Sequence, residues 1–243
     1  MAHQHAADAP RPHLTGSGLA RLVTVFTSLV ASAALFFAAA GTLSLPRAWA
    51  YYGALLGYLL LAVPGLLLLV PGAVEVVNER GRLRREGLEP WDQAFARAYT
   101  VLLLVQPAVA GLDAGRLHWG EVPAALAPPA VALSILATML AHWAMAVNRW
   151  AETGARIQRE RRQEVVTAGP YRLVRHPFYL ASILIELAYP AAVGSLLAAV
   201  PALAAAALLA WRTAREDGLL RAGLAGYQAY ASRVRYRLLP GVW

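Results

Sequence analysis

The feature that most restricts how this chain can fold is the run from Phe178 to Ala210, which is apolar apart from Glu186 and two serines. A bilayer core of about 30 Å takes about 20 helical residues at 1.5 Å each. This run is much too long for one crossing, and Pro190, Gly194 and Ser195 interrupt it near the middle, so it predicts a tight hairpin of two helices with a short first arm. Ahead of it lie apolar stretches from about Leu19 to Leu43, Trp49 to Val70, Phe95 to Leu112 and Val122 to Val147. The expectation is an all-α, polytopic integral membrane protein of about six transmembrane helices, or five with a re-entrant element.

Composition agrees with a lipid solvent. Hydrophobic residues make up 58% of the 243 positions and charged residues 15%, and a soluble domain of this size needs more polar surface. The chain divides into a disordered tail over 1–18, four transmembrane helices over 19–147, and a third region over 148–243 made of a cytoplasmic segment, the helical hairpin and a C-terminal amphipathic helix. The first apolar run is too long for a cleavable signal peptide. Histidines 3, 5 and 13 read as part of a solvated tail, and no metal is expected. With no cysteine, disulfides and thiolate chemistry are excluded. All 22 basic residues are arginine, a bias that reads as genomic base composition and suggests a bacterial inner membrane.

The net charge of +8 raises the question of a nucleic-acid partner, but the arginines answer it by position. With both termini in the cytoplasm, Arg11, Arg21, the group over 80–97, those from Arg149 to Arg175 and those from Arg212 to Arg237 all face inward. Only Arg47 and Arg116 fall outside. That distribution is an orientation signal and an attraction to anionic lipid. The expected partner is the bilayer, with no nucleic acid.

Polar chemistry gathers in two places. The stretch Asn148 to Tyr179 reads NRWAETGARIQRERRQEVVTAGPYRLVRHPFY. Asn148, Glu152, Arg156 and Arg159 recur at helical spacing, which predicts that the fourth span continues into the cytoplasm. Gly169 and Pro170 then break the helix. His176 precedes Pro177, which suits the first turn of the hairpin, and such a helix start favours an anionic group. The second place is the segment after the hairpin. Glu216 and Asp217 follow directly, and Tyr227, Tyr230, Arg233 and Arg237 recur every three or four residues, predicting an amphipathic helix.

GPYRLVRHPFY, an apolar hairpin, an acidic pair and the tail GYQAYASRVRYRLLPGVW together resemble the isoprenylcysteine carboxyl methyltransferase family. The resemblance covers about Asn148 to Trp243, and more loosely the NERGR and WDQ segments around residues 78–93. It implies an all-helical membrane methyltransferase with S-adenosylmethionine bound near the cytoplasmic surface. By position, Gly169, Pro170, Tyr171, Arg175, His176, Tyr179 and Glu216 would border that cofactor, and Arg233 and Arg237 would lie near the substrate. Related enzymes often have two glutamates where this chain has Glu216-Asp217, so the resemblance assigns Asp217 no role.

The residue types suit the chemistry. The sulfonium cofactor brings its own reactivity, and the protein supplies alignment and electrostatics. Arginine or a helix start suits its carboxylate, Glu216 its ammonium, and tyrosines its ring or sulfonium. A carboxylate acceptor needs no general base; an amine acceptor would need one, with His176 or Glu216 as candidates. The leading reading is a lipophilic or prenylated acceptor methylated at a carboxylate. The alternatives are a phospholipid amine N-methyltransferase, an NADPH-dependent membrane reductase, and a transporter or scaffold.

A few residues resist this sorting. Glu186, about two turns into the hairpin, either lines the pocket or sits neutral against a neighbouring helix; it stands with Arg233 and Arg237 as a candidate catalytic residue. His142 is expected to hydrogen-bond a carbonyl between helices, and Asp113 to cap or end the third span. Arg80, Arg82, Arg84 and Arg85 read as orientation signals, whereas Arg172 and Arg175 suit orientation or function alike. Tyr227 and Tyr230 suit either interfacial anchoring or the site.

Overall fold

The computed structural model describes residues 13–82 and 88–243. Arg11, Arg84, Arg85 and the first two tail histidines lie outside the described residues. The chain begins α1 (Gly16–Ala40) where Thr15 accepts a hydrogen bond from the Gly18 N–H, so the expected tail to residue 18 overlaps a formed helix. Gly41, at φ +68°, ends it in a left-handed cap that few side chains tolerate. Then come α2 (Pro46–Leu69), α3 (Ala73–Gly81), α4 (Pro90–Leu112), α5 (Ala127–Val147), α6 (Pro177–Val193), α7 (Ala199–Gly223) and α8 (Tyr227–Arg233). Proline opens α2, α4 and α6, where a missing N–H leaves no bond unmade.

Helices α1, α2, α4 and α5 are each long and apolar enough to cross a membrane. The hairpin forms as α6 and α7, with a first arm of 17 residues, about 25 Å at 1.5 Å per residue. Helix α7 is apolar over its first half and charged from Arg212 onward. The short α3 was not foreseen, and it places the NERGR segment on the arginine-rich face.

Without water, these helices gain little from apolar burial against one another and rely on close packing of small residues. The buried stripe of α5 is Ala130, Ser134, Ala137, Ala141 and Ala144, and α5 makes its broadest contact with α6, whose Ala181, Ala188 and Ala192 are buried. Gly111 and Gly115, four apart, let α1 approach: a Cβ on Gly111 would sit 2.1 Å from the Phe36 carbonyl oxygen. The same device joins α1 to α3, where a Cβ on Gly81 would fall on the Ser17 carbonyl.

Two sequence-based expectations are corrected here. The fourth span does not continue past Val147: Asn148 ends it with ψ 91°, and residues 148–158 are irregular. The helical spacing still pairs Glu152 with Arg156, at 2.8 Å, and Arg156 with Glu160, at 2.7 Å. The segment is instead held by longer-range bonds: Asp92 accepts from the Ala155 N–H, and Gln158 donates to the Trp150 carbonyl. Pro190 is likewise not the hairpin turn but lies inside α6. Its missing N–H frees the Glu186 carbonyl, to which the Gln106 amide donates at 3.3 Å. The turn comes at Gly194, φ +91°, and Ser195.

The face opposite the arginine-rich one is closed by a buried acid and a half-buried arginine. Asp113 ends α4, as expected, and accepts from the Trp119 N–H, the Ser195 hydroxyl and the Leu197 N–H. Arg47 donates to the carbonyls of Val122 and Ala191. On the arginine-rich side, Arg212 of α7 donates to Asp92 of α4 at 2.8 Å, with both side chains buried. Breaking such a pair leaves a buried charge uncompensated, whereas replacing both partners with apolar groups is often neutral. Asp92→Ala should therefore destabilise the protein by about 3–5 kcal/mol, and Asp92→Leu with Arg212→Met should recover most of it. Denaturant unfolding in detergent, followed by tryptophan fluorescence, measures both.

Candidate active site

Where the hairpin meets the irregular 148–166 segment, a cavity of about 850 Å³, counted out to its open mouth, lies against α7 and α8. Its inner wall begins at His176, the N-cap of α6, whose ring stacks on Tyr179 at 5.8 Å. The Tyr179 hydroxyl donates to Glu216, fixing one carboxylate oxygen. Among the described residues Glu216 has no ion-pair partner, so the carboxylate keeps acceptor capacity towards the cavity. Tyr171, Tyr227 and Tyr230 complete an aromatic lining. Burial pushes the Tyr171 phenol up to about 12, against a hydrogen bond from the Asn148 amide, so it stays neutral and keeps its own proton to donate.

Behind this wall stands Asp217, fully buried. It accepts from Arg175 Nε at 2.8 Å, Arg221 Nε at 2.9 Å, Arg237 Nε at 3.0 Å and the Tyr227 hydroxyl at 3.0 Å. His176 Nε2 lies 3.5 Å away. Burial alone would raise the Asp217 carboxyl, but the bonds from His176 and Arg237 and the neighbouring Arg175 charge outweigh it and hold the carboxyl well below the usual range. Arg175 also reaches the carbonyls of Val234 and Arg235, each at 2.8 Å, tying down the chain beyond α8. The backbone reinforces this: the Arg175 and His176 N–H groups donate to the Tyr236 and Arg237 carbonyls.

The sequence-derived candidates separate on this geometry. Tyr171, Arg175, His176, Tyr179 and Glu216 all border the cavity. Gly169 and Pro170 lie outside its lining and shape the turn behind it: Gly169 has φ +56°, and a Cβ there would come 3.0 Å from the Trp143 indole nitrogen. Arg175 borders the space, but its donors are directed at Asp217 and backbone carbonyls. The three residues named as catalytic are not brought there. Arg233 is exposed at the end of α8, and Arg237 is held by Asp217 and lies 4.8 Å from the Trp243 ring. Glu186 sits in a separate cluster within the membrane-spanning part, accepting from the Tyr99 hydroxyl at 2.6 Å, beside Tyr51, Tyr52 and Tyr189.

Other expectations shift with the geometry. The predicted amphipathic helix is only seven residues and ends at Arg233, and Arg175 holds the Val234 and Arg235 carbonyls just beyond its end. Tyr227 and Tyr230 are buried at the site and do not act as interfacial anchors. His142 bonds the Tyr58 hydroxyl at 2.8 Å and not a carbonyl. Asp217 and Arg80 were missed. The signals were an acid beside Glu216 within reach of several tail arginines, and an arginine inside the loosely resembling NERGR segment.

Residues 130–222 match the model of the isoprenylcysteine carboxyl methyltransferase (ICMT) family, in line with the resemblance carried by the GPYRLVRHPFY motif and the acidic pair, and ending before the tail motif. The match relates this stretch to an integral membrane methyltransferase family and takes in α5, the 148–176 segment and the hairpin. No curated protein matches the chain.

Asp217 supplies a pH test. Because its carboxyl is held low in the fold, its contribution is fully present above the ordinary aspartate value of about 4 and is lost as pH falls below it. Asp217→Asn should cost about 3 kcal/mol at pH 7, with the gap to the parent protein narrowing below about pH 4. Melting midpoints in detergent across pH 3–8 check this, and a gap independent of pH would contradict it.

Proposed function

We propose that this protein is a membrane-integral methyltransferase that moves a methyl group from S-adenosylmethionine to the carboxylate of a lipophilic, isoprenylcysteine-like acceptor. The observation that carries the reading is Glu216: a carboxylate oriented by Tyr179, without an ion-pair partner among the described residues, in an aromatic-lined cavity at the end of the hairpin. This set suits the cofactor, since Glu216 can accept from an ammonium and the tyrosine faces can take an aromatic ring or a sulfonium. When bound, S-adenosylmethionine supplies a methyl group on a sulfonium whose carbon–sulfur electron pair stays with sulfur, so an ionised acceptor gives up no proton.

The residues then have simple tasks. Tyr179 holds Glu216, and His176 packs flat on Tyr179, fixing the ring that faces the cavity. Asp217 keeps His176 and Tyr227 in place. The 148–166 segment lines the outer side. His176 Nε2 faces Asp217 and Tyr227, an engagement that suits a positioning part better than removal of a proton from an amine. This favours the carboxylate acceptor over a phospholipid amine. The arginine distribution supports an orientation with this face and both termini in the cytoplasm of a bacterial inner membrane.

Calorimetry on the purified protein in detergent should show about micromolar binding of S-adenosylmethionine and of its demethylated product, with no binding of NADPH. Glu216→Gln should weaken both by roughly 10- to 100-fold, the value of a charge-assisted hydrogen bond, while leaving the melting midpoint within a few degrees. Binding of NADPH alone would replace this reading with a reductase.

A further inference from the structure

Of the buried arginines among the described residues, Arg80 is the one without a carboxylate partner, since Arg175 pairs with Asp217 and Arg212 with Asp92. It lies near the end of α3, outside the stretch that matches the family, and is 93% buried. Its Nε is buried and has no hydrogen-bond partner. Among the described residues no carboxylate comes within ion-pair distance of it, and its guanidinium rests 5.1 Å from the Phe178 ring centroid. Burial, with the Arg21 charge next, lowers its pKa to about 10, so it remains a cation at neutral pH. A buried, unpaired guanidinium is costly unless something anionic meets it.

Its position says what that would be. Arg80 lines the cavity of His176, Tyr179 and Glu216, and it also lines a second, open-mouthed cavity of about 670 Å³, counted out to its mouth, among α1, α2, α3 and α5. Among the described residues it is the one common to both linings. The second cavity is walled by Leu22, Val25, Leu66, Val77 and Met145, with Arg21 its other cation. Three of its walls, α1, α2 and α5, are helices that read as membrane spans, so its contents can come from lipid.

We infer that Arg80 holds the carboxylate of the methyl acceptor at the junction of the two cavities, with the acceptor's single hydrocarbon chain lying in the apolar one between α1, α2, α3 and α5. This rests on the methyl-transfer reading for its meaning but not for its test. An apolar tail is stabilised by leaving water and an anionic head by meeting an unpaired arginine, and only a molecule with both uses the two features together. A neutral methyl ester loses the second interaction, so product is released more readily than substrate binds. A phosphatidylethanolamine would bring two chains and an ammonium to a site with Arg21 beside Arg80, which the local charge disfavours.

The test uses the full chain in phosphatidylcholine nanodiscs, with no cofactor added. The probe is cis-parinaric acid, read by energy transfer from tryptophan at pH 8, with its methyl ester and an alkylamine of equal length as competitors. The acid should bind at least tenfold tighter than the ester. Arg80→Gln should weaken the acid by roughly 10- to 100-fold and leave the ester unchanged, and Arg80→Lys should restore part of the loss. Val77→Trp, filling the apolar cavity with Arg80 intact, should weaken acid and ester alike. Equal binding of acid and ester by the parent protein, parent-like acid binding by Arg80→Gln, or stronger competition from the amine or from phosphatidylethanolamine would each overturn the assignment. Acid binding by a protein that takes up no S-adenosylmethionine would uphold this site and retire the methyl-transfer reading. Cofactor binding with no acid binding would do the reverse.

Discussion

A single buried carboxylate organises the polar half of this protein. Asp217 meets three guanidinium groups, a phenol and an imidazole edge, which come from four parts of the chain: the loop before α6, the end of α7, α8 and the tail. The group is inaccessible to solvent, and in such surroundings charge-assisted bonds are strong while an unmatched one is expensive. The excess of arginines over the one acid is eased because Arg175 also spreads its donors over backbone carbonyls. Through Arg175 and Tyr227 the same carboxylate sets the wall against which His176, Tyr179 and Glu216 are arranged.

The opposite wall depends on a second buried acid. Asp92 receives Arg212 from α7 and the Ala155 N–H from the irregular segment, while Arg212 also reaches the Thr153 carbonyl. Two carboxylates, from α4 and α7, thus stand where a water-soluble enzyme would use a broad apolar core. Helices in lipid gain little by burying apolar surface against each other, so their relative positions come from close approach at small residues and from polar contacts. Gly111 and the alanine stripe of α5 supply the first kind and Asp92, Asp113 and Asp217 the second. The polar cluster at Glu186 belongs to this structural layer: Tyr99 satisfies the carboxylate, and Gln106 satisfies the carbonyl that Pro190 leaves free.

Much of the fold was legible because local rules govern it. The spans could be read from length and apolarity, the starts of α2, α4 and α6 coincide with proline, and Gly194 ends α6 in a left-handed turn. The errors share one cause. Asn148, Glu152 and Arg156 have helical spacing but do not form a helix, and Pro190 looks like a break but is bridged by Gln106, because partners distant in sequence supply the bonds that local pattern assumes come from neighbours. Arg233 and Arg237 looked equivalent at four-residue spacing, yet one is exposed and the other is locked to Asp217.

The sequence by itself determined that this is a helical membrane protein and that its polar and aromatic groups gather around the GPYRLVRHPFY segment and the acidic pair, since apolar length and residue type are properties of the chain alone. Which acid of the pair faces the cavity and which supports it, and which of the described arginines is buried without a carboxylate partner, were decided only by the tertiary structure. Adjacent residues on a helix point in different directions, so Glu216 and Asp217 differ entirely in surroundings although nothing in their sequence separates them. Arg80 and Arg82 read alike as orientation signals, but one is buried between two cavities while the other pairs with Glu79 at the surface. A charge's role depends on what surrounds it in space, and in this chain those surroundings come from helices far apart in sequence.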